Sequence, residues 1–387
     1  MIAEKLKTHF EVVKTSSLFK DFYSDQSSAT HVLPIAKDTL RKVLHSNFDL
    51  QKENKGVYLV RSGGSSAKPL IFPVDIQENL YQRELLANAL VKYGMVTPTT
   101  IALNLFSYKD MYRSAGILDD ILERCNATTI SLSASSSFEI MYHTATEFKA
   151  NLAMGTPTKI AQLATYVLKH KLTLKIDKII YGGEFLLDSH ARLFKKVFGT
   201  TQIYSLYGSA ETGIWAWGNY GRGEICFELL DDIIVEIENA DINGNGRVIV
   251  TNLLRKRFPV FRYLMGDIGR IENKDGKRIL ILTSRDTTSF SIDSEAYFLN
   301  EFNWLYDYVD RFQIQLSLHP PQQGAIQFLL ISEKISEKKR EEVKEKLDAI
   351  FKFDVMQVLL TIQFVDETEL YMNPTSSKTP IIVDFRT

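Results

Sequence analysis

Lys178-Ile-Ile-Tyr-Gly-Gly-Glu184 and Thr201-Gln-Ile-Tyr-Ser-Leu-Tyr-Gly-Ser-Ala-Glu-Thr-Gly213 share one design. Each begins as a short apolar and β-branched run, which reads as a strand, and stops at a glycine-containing turn. Between them, Ser189 to Phe198 reads as a helix. Upstream the alternation continues. Pro157–Lys171 carries Ile160, Leu163, Ala164, Val167 and Leu168 on one helical face, and Thr129–Ser133 reads as a strand. Further back, the strand Gly56–Arg61 runs into Ser62-Gly-Gly-Ser-Ser-Ala-Lys-Pro69, and Ile76, Leu80 and Leu85 mark the helix that follows. Strands alternating with helices predict an α/β sheet. In such sheets ligands gather beyond the carboxyl ends of the strands. Three glycine-containing turns at strand ends therefore predict one site built from three loops.

Outward from this centre the character changes. Residues 1–50 read as helices broken by loops. From about 224 the strands become short, with Ile233–Ile237 and Arg247–Thr251 flanking an Asn-Gly turn, and a small β subdomain is expected. A break falls near Thr283–Asp286. Beyond it, a charged amphipathic helix over Glu333–Lys352 and a strand at Thr361–Val365 predict a smaller α+β unit. A chain of 387 residues exceeds what one core usually serves. Two domains are expected, 1–284 and 285–387.

Composition narrows the function by exclusion. Basic and acidic residues nearly cancel, 46 against 47, so charge selects neither nucleic acid nor an anionic membrane. Cys125 and Cys226 cannot build a four-thiolate zinc site and read as buried thiols. The opening Met1–Thr8 is charged, and no apolar run reaches the ~18 residues of a membrane span. A cytoplasmic protein is expected. The seven histidines show no metal-ligand spacing, and His143 and His190 read as structural or surface residues.

Four segments carry chemistry. In Ser62–Pro69, small residues such as Gly64 let backbone N–H groups approach phosphate oxygens, Ser65 and Ser66 add hydroxyl donors, and Lys68 adds charge. It is not a Walker loop, because Lys68 precedes proline rather than Ser or Thr. Glu211 in Tyr207-Gly-Ser-Ala-Glu-Thr-Gly213 can serve a magnesium ion, which takes oxygen ligands and bridges phosphates. Asp267 in Phe261-Arg-Tyr-Leu-Met-Gly-Asp-Ile-Gly269 is suited to ribose hydroxyls. The fourth is Asn373-Pro-Thr-Ser-Ser-Lys378.

These segments, with Ser284-Arg-Asp286, stand in an order that resembles the adenylate-forming superfamily of acyl-CoA synthetases, peptide-synthetase adenylation domains and luciferases. The chain looks most like its phenylacetate-CoA ligase branch and the related acyl-protein synthetases. The resemblance covers residues 55 to 387. It implies the adenylate-forming enzyme fold: a large N-terminal domain with α/β sheets and a small β subdomain, plus a small mobile α+β C-terminal domain. It also implies roles for residues. Ser62, Gly64, Ser65, Ser66 and Lys68 would hold the ATP phosphates. Gly182, Gly183 and Glu184 match the adenine-side turn. Tyr207 and Gly208 would stand near adenine, and Glu211 would bind Mg2+. Asp267 and Arg285 would grip the ribose, and Asp286 matches the interdomain hinge. Lys378 matches the lysine that meets the acid and the α-phosphate.

The implied activity is activation of an aryl or medium acyl carboxylic acid as an acyl-AMP, followed by transfer to a thiol, coenzyme A first. A carrier protein, a protein cysteine or an amine are the alternative acceptors, and nucleotide binding without turnover is the alternative function. Phe106, Tyr108, Tyr181 and Trp215, with Tyr204 and Trp217, are the candidate walls for the acid. Aromatic faces pack flat rings well. Two departures stand out. Ala67 replaces a glycine usual in the phosphate loop. Thr287–Glu295 is shorter than the family's counterpart, which is glycine-rich and lines the thiol tunnel. The second bears on the acceptor.

Overall fold

The computed structural model describes residues 2–25, 29, 32–62, 70–221, 224–285, 289–292, 295–319, 323–332, 335–351, 358–374 and 378–386. Helices α1 (Ile2–Thr15) and α2 (Lys37–Asn47) precede a hairpin of β1 (Val57–Arg61) and β2 (Ile71–Asp75). Asp75 then caps α3 (Ile76–Lys92), its carboxylate accepting from the Gln77 and Glu78 N–H groups. The alternating stretch follows as β3 (Ile101–Asn104), α4 (Ser114–Arg124), β4 (Thr128–Ser131), α5 (Phe138–Glu147) and β5 (Leu152–Gly155). It continues with α6 (Pro157–Lys169), β6 (Lys178–Gly182), α7 (Asp188–Phe198) and β7 (Gln202–Ser209). Strands β3 to β7 pair in parallel. Helices cover them, so β5 is buried at every position and reads as an unbroken apolar run.

The β-rich stretch is continuous with this sheet. β8 (Gly213–Gly221), β9 (Glu224–Leu229), β10 (Ile233–Glu238), β11 (Gly246–Asn252), β12 (Val260–Lys274) and β13 (Lys277–Arg285) add antiparallel strands. The result is one 11-stranded sheet ordered β10-β11-β12-β13-β9-β8-β7-β6-β5-β3-β4. The parallel direction ends at β7, which pairs antiparallel with β8.

After the hairpin β14 (Ser289–Ile292) and β15 (Glu295–Phe298), a second sheet forms. It contains β16 (Arg311–His319), β17 (Gln323–Ile331), β18 (Val358–Phe364) and β19 (Ile382–Asp384), in the order β18-β17-β16-β19, with α8 (Glu337–Ile350) alongside. Phe302, Phe312, Ile314, Phe328, Val343 and Leu347 belong to a core of its own.

The opening helices are fastened to the large sheet. Phe10 stacks on Phe261 with ring centroids 5.1 Å apart. Ile35 forms a parallel bridge to Tyr263. Its N–H donates to the Arg262 carbonyl at 2.8 Å, and its carbonyl accepts from the Leu264 N–H at 3.0 Å. His9, on α1, is buried, and its Nε2 has no partner among the described residues. Burial, helped by the Lys256 charge, pushes its pKa down to about 4. A histidine depressed from an unfolded value of ~6.5 contributes stability that is complete above that pH and lost as the pH falls toward the folded value. Urea unfolding should therefore show a loss of about 2 kcal/mol between pH 7.5 and 5 from this group, at ~1.4 kcal/mol per unit. His9→Phe should remove that slope; an equal slope in the variant would clear His9 of it.

Candidate active site

The carboxyl ends of β6 and β7 lie side by side, with Gly182 opposite Leu206. Beyond β6 the chain turns at Gly183, whose φ is +85°. A Cβ on Gly183 would lie 2.8 Å from Cε and 3.3 Å from Nζ of Lys378. The terminal lysine of the sequence pattern therefore rests against the backbone of the β6 turn. Its loop is braced from below. The Asn373 N–H donates to the Lys378 carbonyl at 2.8 Å. Buried Gln313 on β16 donates to the carbonyls of Tyr371 and Pro380 at 3.0 and 2.9 Å, and accepts from the Tyr371 N–H at 2.9 Å.

Glu184 does more than shape the turn. Its carboxylate accepts from the Thr158 N–H at the start of α6, at 3.2 Å, and from the Thr379 N–H at 2.5 Å. Next to it, Arg311 donates to Thr158 Oγ1 at 2.5 Å, to Glu367 at 3.0 Å and to the Thr379 carbonyl at 3.1 Å. Glu367 also meets His190 Nε2 at 2.9 Å. Burial pushes the Glu367 carboxyl up, but His190 and Arg311 together outweigh it and hold the group below the usual carboxylate range. This polar cluster joins α6, α7 and the β6 turn to the second sheet. The histidine read as structural or surface is part of it.

The strand read over Thr201–Leu206 is longer than the sequence indicated. β7 runs through Tyr207 and Gly208 to Ser209, and a tight hairpin returns it as β8. Glu211 lies in that hairpin turn. A Cβ on Gly208 would fall 2.0 Å from the Gly213 carbonyl oxygen, so no side chain fits there. The turn is held from beneath by amides. Gln82 donates to the Thr212 and Ile214 carbonyls at 3.0 and 2.9 Å, and Asn252 donates to the Thr212 carbonyl at 2.8 Å. Glu211 is 3% exposed and hydrogen-bonded to Tyr263, whose hydroxyl pKa is raised first by burial and then by that carboxylate.

Tyr207 donates to Asp267 Oδ2 at 2.6 Å, and its ring packs edge-on against Trp215 at 4.9 Å. Asp267 sits within β12, paired with Arg285 of β13. The ribose candidates are thus neighbours along one ladder. Ser62 and Leu70, on either side of the serine-rich segment, are bonded to each other: the Ser62 N–H donates to the Leu70 carbonyl at 2.8 Å, and the Leu70 N–H donates to Ser62 Oγ at 3.0 Å. Gly64, Ser65, Ser66 and Lys68, and the hinge candidate Asp286, lie outside the described residues.

The aromatic candidates scatter. Phe106 is buried, with Cζ 3.8 Å from where a Gly182 Cβ would stand. Tyr181 and Trp215 are packed into separate cores. Tyr108 is 60% exposed.

No protein-family model matches the sequence. Solved structures do resemble the chain. A 2-hydroxyisobutyryl-CoA ligase in its postadenylation state, in complex with 2-HIB-AMP, aligns over 100% of this chain and 89% of its own, with a TM-score of 0.72 and 14% identity. The same ligase in its thioesterification state, with 2-HIB-AMP and CoA, scores 0.63. The fold is that of the adenylate-forming enzymes. The amide bond synthetase McbA from Marinactinospora thermotolerans shares the adenylate-forming fold over 83% of this chain and 68% of its own, with a TM-score of 0.55 and 15% identity. By sequence, the chain is 23% identical over 276 residues to the indoleacetate–lysine synthetase of Pseudomonas savastanoi, covering 70% of this chain and 67% of that protein. Among the described residues, no helix is long and apolar enough to cross a membrane.

Proposed function

We propose that this protein activates a carboxylic acid with ATP as an acyl-adenylate, releasing pyrophosphate, and then passes the acyl group to an acceptor. The observation that carries this reading is the contact of Lys378 with Gly183, which brings the end of the sequence pattern into the strand-end site. The substrate carboxylate attacks the α-phosphorus and needs no general base, because it is already ionised near pH 7. Negative charge builds on the phosphoryl oxygens and the leaving pyrophosphate. A lysine delivered by a closing unit, residues 285–387, stabilises that charge where water is excluded. Asp267, which accepts from the Tyr207 hydroxyl, would serve the ribose hydroxyls.

In this reading magnesium would arrive with the nucleotide as part of the substrate. No cluster of three or more His, Cys, Asp or Glu side chains could hold a metal among the described residues. Magnesium commonly takes one or two carboxylates and draws its other ligands from water and phosphates. Glu211 would supply the protein carboxylate, and the ion would bridge the phosphates.

The acceptor divides two ways. Likeness to a CoA ligase supports coenzyme A, and likeness to indoleacetate–lysine synthetase and McbA supports an amine. Transfer to Cys125 is disfavoured, because burial pushes its thiol up to about 11. ATP–pyrophosphate exchange dependent on an added acid is the decisive assay. Folded protein that shows no exchange across a broad panel of aryl and medium acyl acids would sink the reading. Product analysis with coenzyme A, lysine or a carrier protein in parallel then names the acceptor.

A further inference from the structure

Lys37 opens α2, in the part of the chain that the family resemblance leaves out. The bridge of Ile35 to Tyr263 fixes its place, because it ties the residues before α2 to the strand bearing the hydroxyl that meets Glu211. Lys37 is half-buried, and the charges it feels include Glu211 and Lys378 as well as its helix neighbours Asp38 and Arg41. Asp38 is taken up by Arg41, with which it forms an ion pair. Lys37 is thus near a second ammonium group, Lys378, and the buried carboxylate of Glu211 is one of the charges opposing its own. A magnesium ion on Glu211 would add positive charge. Polyanionic phosphate would offset it.

We propose that Lys37 contacts the β- and γ-phosphates of Mg·ATP, as a second cation opposite Lys378. The inference rests on the adenylation reading for its chemistry. Lys378 stands at the β6 turn, and Lys37 stands within the field of Glu211, the residue that would meet magnesium. In the reaction, the carboxylate oxygen bonds to the α-phosphorus, and the bond from that phosphorus to the bridging oxygen breaks. Pyrophosphate departs with the electron pair. Lys37 keeps its proton throughout and donates hydrogen bonds to the departing oxygens. Burial lowers the lysine's pKa, and Glu211 opposes that shift.

The test compares wild type, Lys37→Ala, Lys37→Arg and Lys42→Ala, the last an exposed lysine on the same helix. Calorimetry with Mg·ATP and with adenosine is read beside pyrophosphate exchange. A charge-assisted hydrogen bond lost from a partly buried site costs about ten- to a hundredfold in affinity. Lys37→Ala should lose that much for Mg·ATP, raise the KM for pyrophosphate and leave adenosine binding unchanged. Lys37→Arg should recover most of the affinity, and Lys42→Ala should match wild type. Unchanged Mg·ATP affinity in Lys37→Ala would overturn the proposal. So would an equal loss for adenosine, which marks a folding defect rather than a phosphate contact. Wild type that binds Mg·ATP without any exchange would defeat the adenylation reading, and the binding comparison would still decide Lys37.

Discussion

Lys378→Ala is expected to slow acid-dependent pyrophosphate exchange by about two to three orders of magnitude, the usual cost of removing a preorganised donor from developing charge. The loss should fall on kcat. A contact strengthened only as charge develops adds little to ground-state binding, so calorimetric affinity for Mg·ATP should change much less. Geometry also argues that arginine cannot substitute. The lysine lies against the Gly183 backbone, with Cε 2.8 Å from where a Cβ would stand, and a planar guanidinium is wider than a compact ammonium. Lys378→Arg should therefore resemble alanine. Exchange within threefold of wild type in either variant would remove Lys378 from the reacting centre.

Arg311→Ala is expected to release the second sheet from the first. The substitution deletes donors to Thr158, Glu367 and the Thr379 carbonyl from a site where Arg311 is 9% exposed. Removing one partner of a buried ion pair costs about 3–5 kcal/mol, because the other charge stays buried without it. Small-angle scattering should show a larger radius of gyration, limited proteolysis should become faster near residues 285–295, and adenylation should fall together with docking. Acid should act in the same direction on wild type. Glu367 is held below the ordinary glutamate value of ~4.3, so its contribution is complete above that pH and lost as the pH falls through the lowered folded value. Docking should thus hold from pH 8 to 5 and weaken below about 4. A variant with unchanged scattering and unchanged rate would show that the cluster does not govern docking.

How much of this was legible in the sequence depended on range. Of the parallel strands, β4, β6 and β7 could be read because each is a short apolar or β-branched run next to a helix or a glycine turn, a local signal; β3 and β5, only four residues each, were not read. The ordered motif residues could be read as well, and the structure brings Gly183, Lys378, Glu184 and Thr379 into contact. The hairpin at Glu211 was hidden. Its evidence is a close approach of Gly208 to the Gly213 carbonyl across the turn, which no local pattern encodes. Asp267 could be picked out as a ribose candidate but not placed in a strand, and β12 is irregular there, with a register shift between Ile268 and Gly269.

β16 was not read from the sequence, and its alternation alone points the wrong way. Phe312, Ile314 and Leu316 face the core, and Arg311 and Gln313 look like the solvated face of an alternating strand. The loop carrying Lys378 covers that face and makes both residues supports of the site. Lys37 had no local signal at all, since its meaning lies in a bridge to residue 263.

The double hydrogen bond of Glu184 has a thermodynamic consequence. One carboxylate holds both the start of α6 and the loop beside Lys378, so the order of the β6 turn and the docking of the second sheet are coupled through it. Linkage is reciprocal. Any ligand that orders the turn must favour closure by the same factor by which closure favours that ligand. For a nucleotide bound there, the gain in affinity on closure and the gain in the closed population on binding would be two measurements of one coupling free energy.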